Sequence, residues 1–218
     1  MVADPVVQSI EALRAGEPVL LPTDTVYGLC AALDEHGAER LTALKGRPAG
    51  KPMALIAASV ERLLELVPEL EGGPAAILEA VLPGPYTLIL ANPAGRFPWL
   101  GGGDAPTIGV RVVALPEPAQ RVLDAVGAVI ATSANDTGGP DPAILADVPD
   151  AIRAACAAEL DAGPLPGTPS TVIDFSGARP VVLREGAGSA ADAIDRANAA
   201  LAASSAATTI GGSPGKER

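Results

Sequence analysis

The sequence predicts an α/β fold, and three observations support this prediction. The chain has 218 residues, 48% of them hydrophobic, which is enough for one well-buried core. Short apolar runs typical of strands alternate with segments of helical periodicity, as in α/β proteins. There is no internal repeat, so we expect one domain over residues 1–202, followed by a disordered tail over residues 203–218, which are rich in Ser, Thr and Gly.

Seven short runs carry the strand signal. They are built mainly from Val, Ile, Leu, Ala and Thr, and most of them are bounded by Gly, Pro or polar residues, which is typical of buried strands. In chain order they cover residues 19–22, 53–57, 86–91, 107–113, 128–132, 171–175 and 180–183.

Helical features lie between several of these runs. One segment puts Leu41 and Leu44 on a single helix face, and another begins with the favoured N-cap Ser59 and continues with three leucines, so we expect these leucines in the core. The segment GAGSAA matches a dinucleotide-binding fingerprint only weakly, because no βαβ unit with an acidic residue follows it. We interpret it as a turn in which Ser189 caps a final helix.

Charge and aromatic content argue against nucleic-acid binding. The formal net charge is −11, and aromatic residues make up only 2% of the chain. Nucleic-acid binding depends on Lys and Arg that neutralise phosphates and often on rings that stack on bases. Any phosphate site in this chain must therefore be local.

Cysteine and histidine are too scarce for most metal, redox and nucleophilic sites. Cys30 and Cys156 lack CxxC spacing, so we expect small core residues and a reducing compartment. His36 is the only histidine and lies in the polar turn DEHG, where we expect it to be exposed. This inventory leaves only oxygen-ligated Mg²⁺ accompanying a phosphate. With no signal segment and no apolar run near ~18 residues, we expect a soluble, cytoplasmic protein.

Polar groups gather where the first strand-like run ends and in a cationic stretch further on. PTDTVYGLC at residues 22–30 contains Thr23 and more small polar groups than a turn requires, which suggests that something is bound there. KGRPAGK contains Lys45, Arg47 and Lys51. These cations could form a solvated helix end, which the stretch alone favours, or they could converge on an anion such as phosphate.

Two further stretches set polar side chains at strand ends. ATSANDTGG puts Ser133 and Asn135 at the carboxyl end of a strand, where ligands of open α/β sheets bind, although a simple Asx or Ser/Thr turn is equally compatible. GTPSTVIDF opens a strand with Ser170, and PVVLREG has Arg184 at the end of the next strand. Arg184 could instead be an ordinary partner in a surface ion pair.

An arginine also occurs inside an apolar strand. In TIGVRVV, Thr107 and Arg111 are four residues apart and therefore lie on the same face of the sheet. A buried arginine needs an anionic partner, either a ligand or a structural carboxylate. The structural carboxylate is the commoner outcome.

Taken in chain order, PTDTVYGL, KGRP, TSAN, PSTVID and LREG resemble one family, the YrdC-type threonylcarbamoyl-AMP synthases. The resemblance covers residues 18–186 and implies a twisted mixed sheet with flanking helices and a concave face that binds ATP, bicarbonate and L-threonine. The implied products are threonylcarbamoyl-AMP and pyrophosphate. A partner complex would then transfer the threonylcarbamoyl group to tRNAs that decode ANN codons, with weak or no direct tRNA binding by this chain.

The resemblance also implies a role for each matched residue, with Mg²⁺ accompanying the ATP. The implied catalytic group is Lys45, Arg47, Ser133 and Asn135. The implied ATP-binding set is Lys45, Arg47, Thr107, Asn135 and Arg184. The implied threonine-binding set is Thr23, Lys51, Arg111, Ser133 and Ser170.

Two positions depart from the family pattern, and rival functions remain open. Lys51 stands where many members have His or Asn, and it could contact the threonine carboxylate or a phosphate; Thr137 replaces the usual serine and keeps the hydroxyl. The glycines at 101–103 are a candidate mobile loop that closes the site. The rivals are a carbamoyl-adenylate-forming module, whose usual companion domains are not found in this sequence, and a non-catalytic RNA-binding protein, which the acidic charge disfavours.

Overall fold

A nine-stranded sheet forms the centre of the structure, a computed structural model that describes residues 4–46, 51–101 and 106–210, apart from the side chains of 207–210. The strands are β1 (Val19–Pro22), β2 (Tyr27–Ala32), β3 (Ala54–Ala57), β4 (Tyr86–Ala91), β5 (Thr107–Arg111), β6 (Ala128–Ser133), β7 (Ala158–Glu159), β8 (Thr171–Asp174) and β9 (Val181–Arg184). Their order across the sheet is β7-β1-β2-β6-β3-β5-β4-β8-β9. The pairs β1–β7, β3–β5 and β4–β8 are parallel and the other neighbours are antiparallel, so the sheet is mixed.

Seven α-helices flank this sheet within the described residues. They are α1 (Pro5–Arg14), α2 (Glu35–Leu44), α3 (Val60–Leu66), α4 (Gly73–Val81), α5 (Glu117–Val126), α6 (Asp150–Ala155) and α7 (Ala190–Ile210). Asp34 begins α2 by accepting a hydrogen bond from the backbone N–H of Gly37 at 2.7 Å, and Ser59 caps α3 in the same way through Arg62. Because α2 has a defined start and a length of 10 residues, Lys45 lies at its C-cap.

The two faces of the sheet bury different cores. Leu29 and Leu55 point to one face, which α2, α3, α4 and α7 cover. Their chain neighbours Cys30 and Ile56 point to the other face, where α1 and α5 pack. Within the described residues, β4, β5 and β8 contribute nothing to this second core. The second core of the described residues therefore does not extend over that part of the face.

The predicted α/β class is confirmed, and two strands were missed. All seven predicted strands are present, each within two residues of its expected bounds. Neither β2 nor β7 was among the predicted strands. The run YGLCAA of β2 is rich in small residues of low strand propensity, yet it becomes a central strand because β1 and β6 pair with its two edges. With two residues, β7 is too short to leave a periodic signal.

The expectation of a disordered tail from residue 203 was wrong for its first part. The final helix α7 starts after Ser189, as predicted, and continues to Ile210. Ala193 and Ala197 of this helix are fully buried, and the high helix propensity of the alanines that follow lets the helix continue past residue 203. Residues 211–218 lie outside the described residues, as do Gly102 and Gly103 of the candidate loop. Among the helices of the described segments, none combines the length and the apolarity that crossing a bilayer requires.

Candidate functional site

The part of the sheet face over which the second core does not extend borders a cavity of about 730 Å³. Nine of the ten residues that the sequence analysis assigned to the site line this cavity, and the tenth, Arg47, lies outside the described residues. The nine are Thr23, Lys45, Lys51, Thr107, Arg111, Ser133, Asn135, Ser170 and Arg184. A concave site where polar groups from distant segments converge is the usual form of a ligand pocket.

Small side chains form the floor of the cavity. Ala131 of β6, Ala54 of β3 and Gly109 of β5 are lateral neighbours across three adjacent strands, and all three line the cavity. Residues paired across neighbouring strands point to the same face, so none of the three fills the space above the sheet. The volume available to a ligand depends on this absence of bulk.

Lys45 reaches into the cavity from the end of α2. Its amine donates hydrogen bonds to the backbone carbonyl of Ser133 at 2.5 Å and to Asn135 Oδ1 at 2.8 Å. The residue is only 8% exposed. Of the two interpretations of KGRPAGK, the solvated helix end is therefore wrong for Lys45, because the cation is buried at the site and linked to the Ser-x-Asn stretch.

The loop after β6 is held in shape by its own side chains. Ser133 Oγ donates to Asn135 Oδ1 at 2.7 Å, and Asn135 Nδ2 donates to the carbonyl of Gly139 at 2.7 Å and to Asp141 Oδ1 at 3.2 Å. Thr137 uses the hydroxyl that it shares with serine to donate to the carbonyl of Lys45 at 3.1 Å. The loop and the end of α2 therefore form one connected unit.

Thr23 forms part of the cavity wall, but its hydroxyl organises the turn between β1 and β2. Thr23 Oγ1 donates to the carbonyl of Val26 at 2.7 Å and accepts from the backbone N–H groups of Thr25 and Val26, both at 3.2 Å. It also contacts Thr25 Oγ1 at 3.1 Å. Thr25 is fully buried and lines the cavity as well, although the sequence analysis gave it no role. The polar turn is thus a rigid part of the wall.

Arg111 pairs with a carboxylate that the sequence analysis left without a role. Its Nη2 atom lies 2.8 Å from Asp24 Oδ1, and each side chain is 10% exposed. Burial raises the pKa of the Asp24 carboxyl, and the charge of Arg111 opposes this shift. Burial likewise lowers the pKa of the Arg111 guanidinium, and Asp24 opposes that shift. The structural carboxylate expected for an arginine inside an apolar strand is therefore Asp24, while Arg111 still lines the cavity.

Ser170, Thr87 and Arg184 form the edge of the cavity nearest β9. The hydroxyls of Ser170 and Thr87 are 2.9 Å apart. Arg184 donates from Nε to the carbonyl of Ser170 at 3.0 Å and from Nη2 to its hydroxyl at 3.2 Å. Arg184 therefore binds the polypeptide at the site edge, and among the described residues it forms no surface ion pair. Thr87 lies inside an apolar strand run and gave no sequence signal.

Among the described residues, the carboxylates that line the cavity are too few for a protein-built metal centre. Asp141 and Asp174 line it, and the described part of the chain contains no group of three or more His, Cys, Asp or Glu residues arranged to hold a metal ion. Mg²⁺ typically binds through one or two carboxylates together with substrate phosphates. These residues are compatible with Mg²⁺ that arrives on a nucleotide.

The chemistry of the cavity favours binding of anions over covalent catalysis by a side chain. Lys45, Lys51, Arg111 and Arg184 bring four cations to one cavity of a chain whose net charge is −11. His36 is exposed and, like Cys30, does not line the cavity. Burial raises the pKa of the Cys30 thiol to about 12. The site can therefore hold a polyanion, orient a carboxylate and stabilise developing negative charge.

Comparison with known proteins gives matches over most of the chain. The Sua5/YciO/YrdC family model, described as telomere recombination, matches residues 11–186. The threonylcarbamoyl-AMP synthase of Alkalilimnicola ehrlichii is 39% identical over 182 residues, which are 82% of this chain and 89% of that protein.

Solved structures agree with the family match. E. coli YciO superposes with a TM-score of 0.76 at 27% identity and covers 86% of this chain and 91% of its own. Sua5 of Pyrococcus abyssi, solved with L-threonine, superposes with a TM-score of 0.71 at 31% identity over 85% of this chain. The match spans 56% of that protein, a little over half of its length. The family model over residues 11–186 and the A. ehrlichii relative therefore show that the chain belongs to the Sua5/YciO/YrdC family.

Proposed function

We propose that the chain is an L-threonylcarbamoyladenylate synthase, which converts ATP, bicarbonate and L-threonine into threonylcarbamoyl-AMP, pyrophosphate and water. The observation that carries the proposal is the convergence of four cations and several hydroxyls in one cavity of an acidic chain. The name of the related A. ehrlichii synthase and the L-threonine bound to P. abyssi Sua5 support it.

In the proposed reaction, the amine of L-threonine attacks the carbon of bicarbonate, and loss of water gives a carbamate. A carbamate oxygen then attacks the α-phosphorus of ATP, and the bond to the departing pyrophosphate breaks. The carbamate decomposes readily in water, so a concave site that limits water access protects it. All bonds form between substrates, so no nucleophilic side chain is required.

The residues of the cavity have distinct roles in this proposal. Lys45 neutralises charge on the phosphates as pyrophosphate leaves, and Arg184 contacts the triphosphate from the opposite edge. Ser133 and Asn135 hold Lys45 in place and orient the reacting groups. Arg111 binds the carboxylate of L-threonine, because a guanidinium offers a planar pair of donors to a carboxylate.

The remaining assignments follow from the same reaction. Thr107 belongs to the ATP side, and Thr23, Lys51 and Ser170 belong to the threonine side. Arg47 joins Lys45 on the phosphates by family resemblance, and Mg²⁺ accompanies ATP. The product passes in the cytoplasm to a transferase complex that modifies ANN-decoding tRNAs. The net charge of −11 supports a chain that supplies the adenylate and does not itself bind tRNA strongly.

The test is pyrophosphate release from ATP by the purified chain, measured with and without L-threonine and with and without bicarbonate. We expect release to require both co-substrates. Release with carbamoyl phosphate in place of bicarbonate and L-threonine would indicate the carbamoyl-adenylate module. Absence of release together with salt-sensitive tRNA binding would indicate the RNA-binding alternative.

A further inference from the structure

Asp24 is a buried carboxylate beside the cavity that the proposed reaction has not used. It lies in the turn between β1 and β2, and its Oδ1 atom contacts Arg111 Nη2 at 2.8 Å. Asp24 does not itself line the cavity, whereas Arg111 does. Its position is therefore that of a residue that acts on the site through Arg111.

The turn fixes where the Asp24 carboxylate sits. Thr23 immediately before it and Thr25 immediately after it are both buried, and the Thr23 hydroxyl bonds three groups of the same turn. A turn held on both sides of one residue leaves that residue little conformational freedom. The anion that faces Arg111 is therefore part of a rigid scaffold, as a precise binding site requires.

Arg111 depends on this carboxylate for its orientation. Within the described residues, its Nε atom and Asp24 Oδ2 are both buried without a hydrogen-bond partner, so the contact with Asp24 is the one that restrains the guanidinium. Burial, and to a lesser extent the neighbouring charge of Arg184, lower the pKa of the Arg111 guanidinium, whereas Asp24 raises it. Without Asp24, a buried guanidinium would lack a counter-charge and would shift towards other acceptors.

We propose that Asp24 is a positioning residue that fixes the Arg111 guanidinium for the carboxylate of the amino-acid substrate, and that it sets the affinity for the amino acid but not for the nucleotide. The inference rests on the proposed function for the identity of that substrate. Arg111 has five N–H donors, and Asp24 occupies one side of the fork. Because Nε is buried, the donors left for the substrate carboxylate are those of the terminal guanidinium nitrogens, in an orientation that Asp24 defines.

The first experiment is Asp24→Asn, which keeps the shape of the side chain and removes its charge. We expect the affinity for L-threonine, measured by calorimetry, and the inverse of its KM to fall by about tenfold to a hundredfold. We expect kcat and the KM for ATP to change by less than about threefold. A residue that only stabilised the fold would instead reduce the active fraction and leave both KM values unchanged.

A double variant tests whether Asp24 acts through Arg111. Arg111→Gln alone should weaken L-threonine binding, and adding Asp24→Asn should weaken it no further, because the residue to be positioned is gone. The matched control is Glu159→Gln, which removes a carboxylate paired with Arg153 at 2.7 Å on the far edge strand β7. We expect this control to bind L-threonine as the wild type does.

If Asp24→Asn does not fold, Asp24→Glu carries the test, since it keeps the charge and moves it by one methylene group. We expect this variant to weaken L-threonine binding by about tenfold as well, because position and not charge alone is required. Two results would overturn this inference while leaving the proposed function intact. One is wild-type affinity for L-threonine in the folded Asp24→Asn or Asp24→Glu variant, and the other is additive losses of affinity in the double variant. If the wild-type chain did not bind L-threonine at all, both the inference and the proposed function would be overturned.

Discussion

Replacing Lys45 by methionine removes a buried cation while keeping an unbranched side chain in the same space. The lost amine donates to two oxygens, the carbonyl of Ser133 and Oδ1 of Asn135. Loss of one preorganised group that stabilises a transition state costs about 2.7–4 kcal/mol, or roughly 10²–10³ in rate. We therefore expect pyrophosphate release by Lys45→Met to fall by roughly a hundredfold to a thousandfold.

The effect of this substitution on the free energy of unfolding should be somewhat smaller, and small enough to leave the chain folded. A hydrogen bond to a charged group contributes about 1.5–3 kcal/mol. However, Asn135 Oδ1 keeps the hydrogen bond from Ser133 Oγ at 2.7 Å, and removing the amine also removes the cost of burying its charge. We expect a net loss of about 1–3 kcal/mol, which leaves a domain of ordinary stability folded at 25 °C.

The assay is thus initial-rate pyrophosphate release at 25 °C, alongside urea unfolding monitored by circular dichroism. The control is Arg62→Met, which removes an exposed cation paired with Glu65 and should change the rate by less than about twofold. If folded Lys45→Met retained more than about a third of the wild-type rate, Lys45 could not carry the assigned role on the phosphates. The corresponding loss for Arg47→Ala, about tenfold to a thousandfold, remains a prediction from family resemblance.

Three further predictions follow from buried groups and from the cavity floor. Gly109→Val should abolish activity because the new side chain would occupy the ligand space. The chain should stay folded by circular dichroism, since the nearest atoms to an added Cβ are 3.8 Å away. Full activity would contradict the assignment of Gly109 to the cavity floor. Tyr27→Phe should lower the free energy of unfolding in urea by about 1–3 kcal/mol, since the single hydroxyl hydrogen is shared between Asp161 Oδ1 at 2.8 Å and the carbonyl of Gly163 at 2.9 Å. An unchanged midpoint would contradict this expectation. Cys30 and Cys156 should resist iodoacetamide at pH 8 until the chain is unfolded. Burial raises the pKa of each thiol to about 12, so only about one thiol in ten thousand is a thiolate at this pH. Rapid labelling of the folded chain would contradict this expectation.

Local sequence signals predicted most of the fold but not its connectivity. Apolar runs bounded by turn residues located seven of the nine strands in the described segments, because these runs satisfy both burial and strand propensity. The strand β2 was missed because its small residues become a strand only through pairing with β1 and β6. Such tertiary pairing, like the strand order, is not encoded in any single window of sequence.

The site was predictable as far as its residues belong to ordered motifs. Lys45, Ser133 and Arg184 were chosen from stretches far apart in the chain, and all three line one cavity. Asp24 and Thr87 were not assigned, because their importance comes from partners that only the fold brings close, namely Arg111 and Ser170. The sequence indicated that Arg111 needed a carboxylate but could not say which of the 26 acidic residues supplied it.

Because the cavity floor consists of Ala131, Ala54 and Gly109, mutations there can reduce the volume of the site much more easily than they can increase it. At Gly109 the side chain is already the smallest available, and at the two alanines it is one methyl group larger. Nearly every substitution there must shrink the cavity, so a single change is enough to produce a variant that accepts only a smaller ligand. Space for a bulkier ligand would have to come from changes at other lining residues, such as Thr23, Lys51 and Ser170.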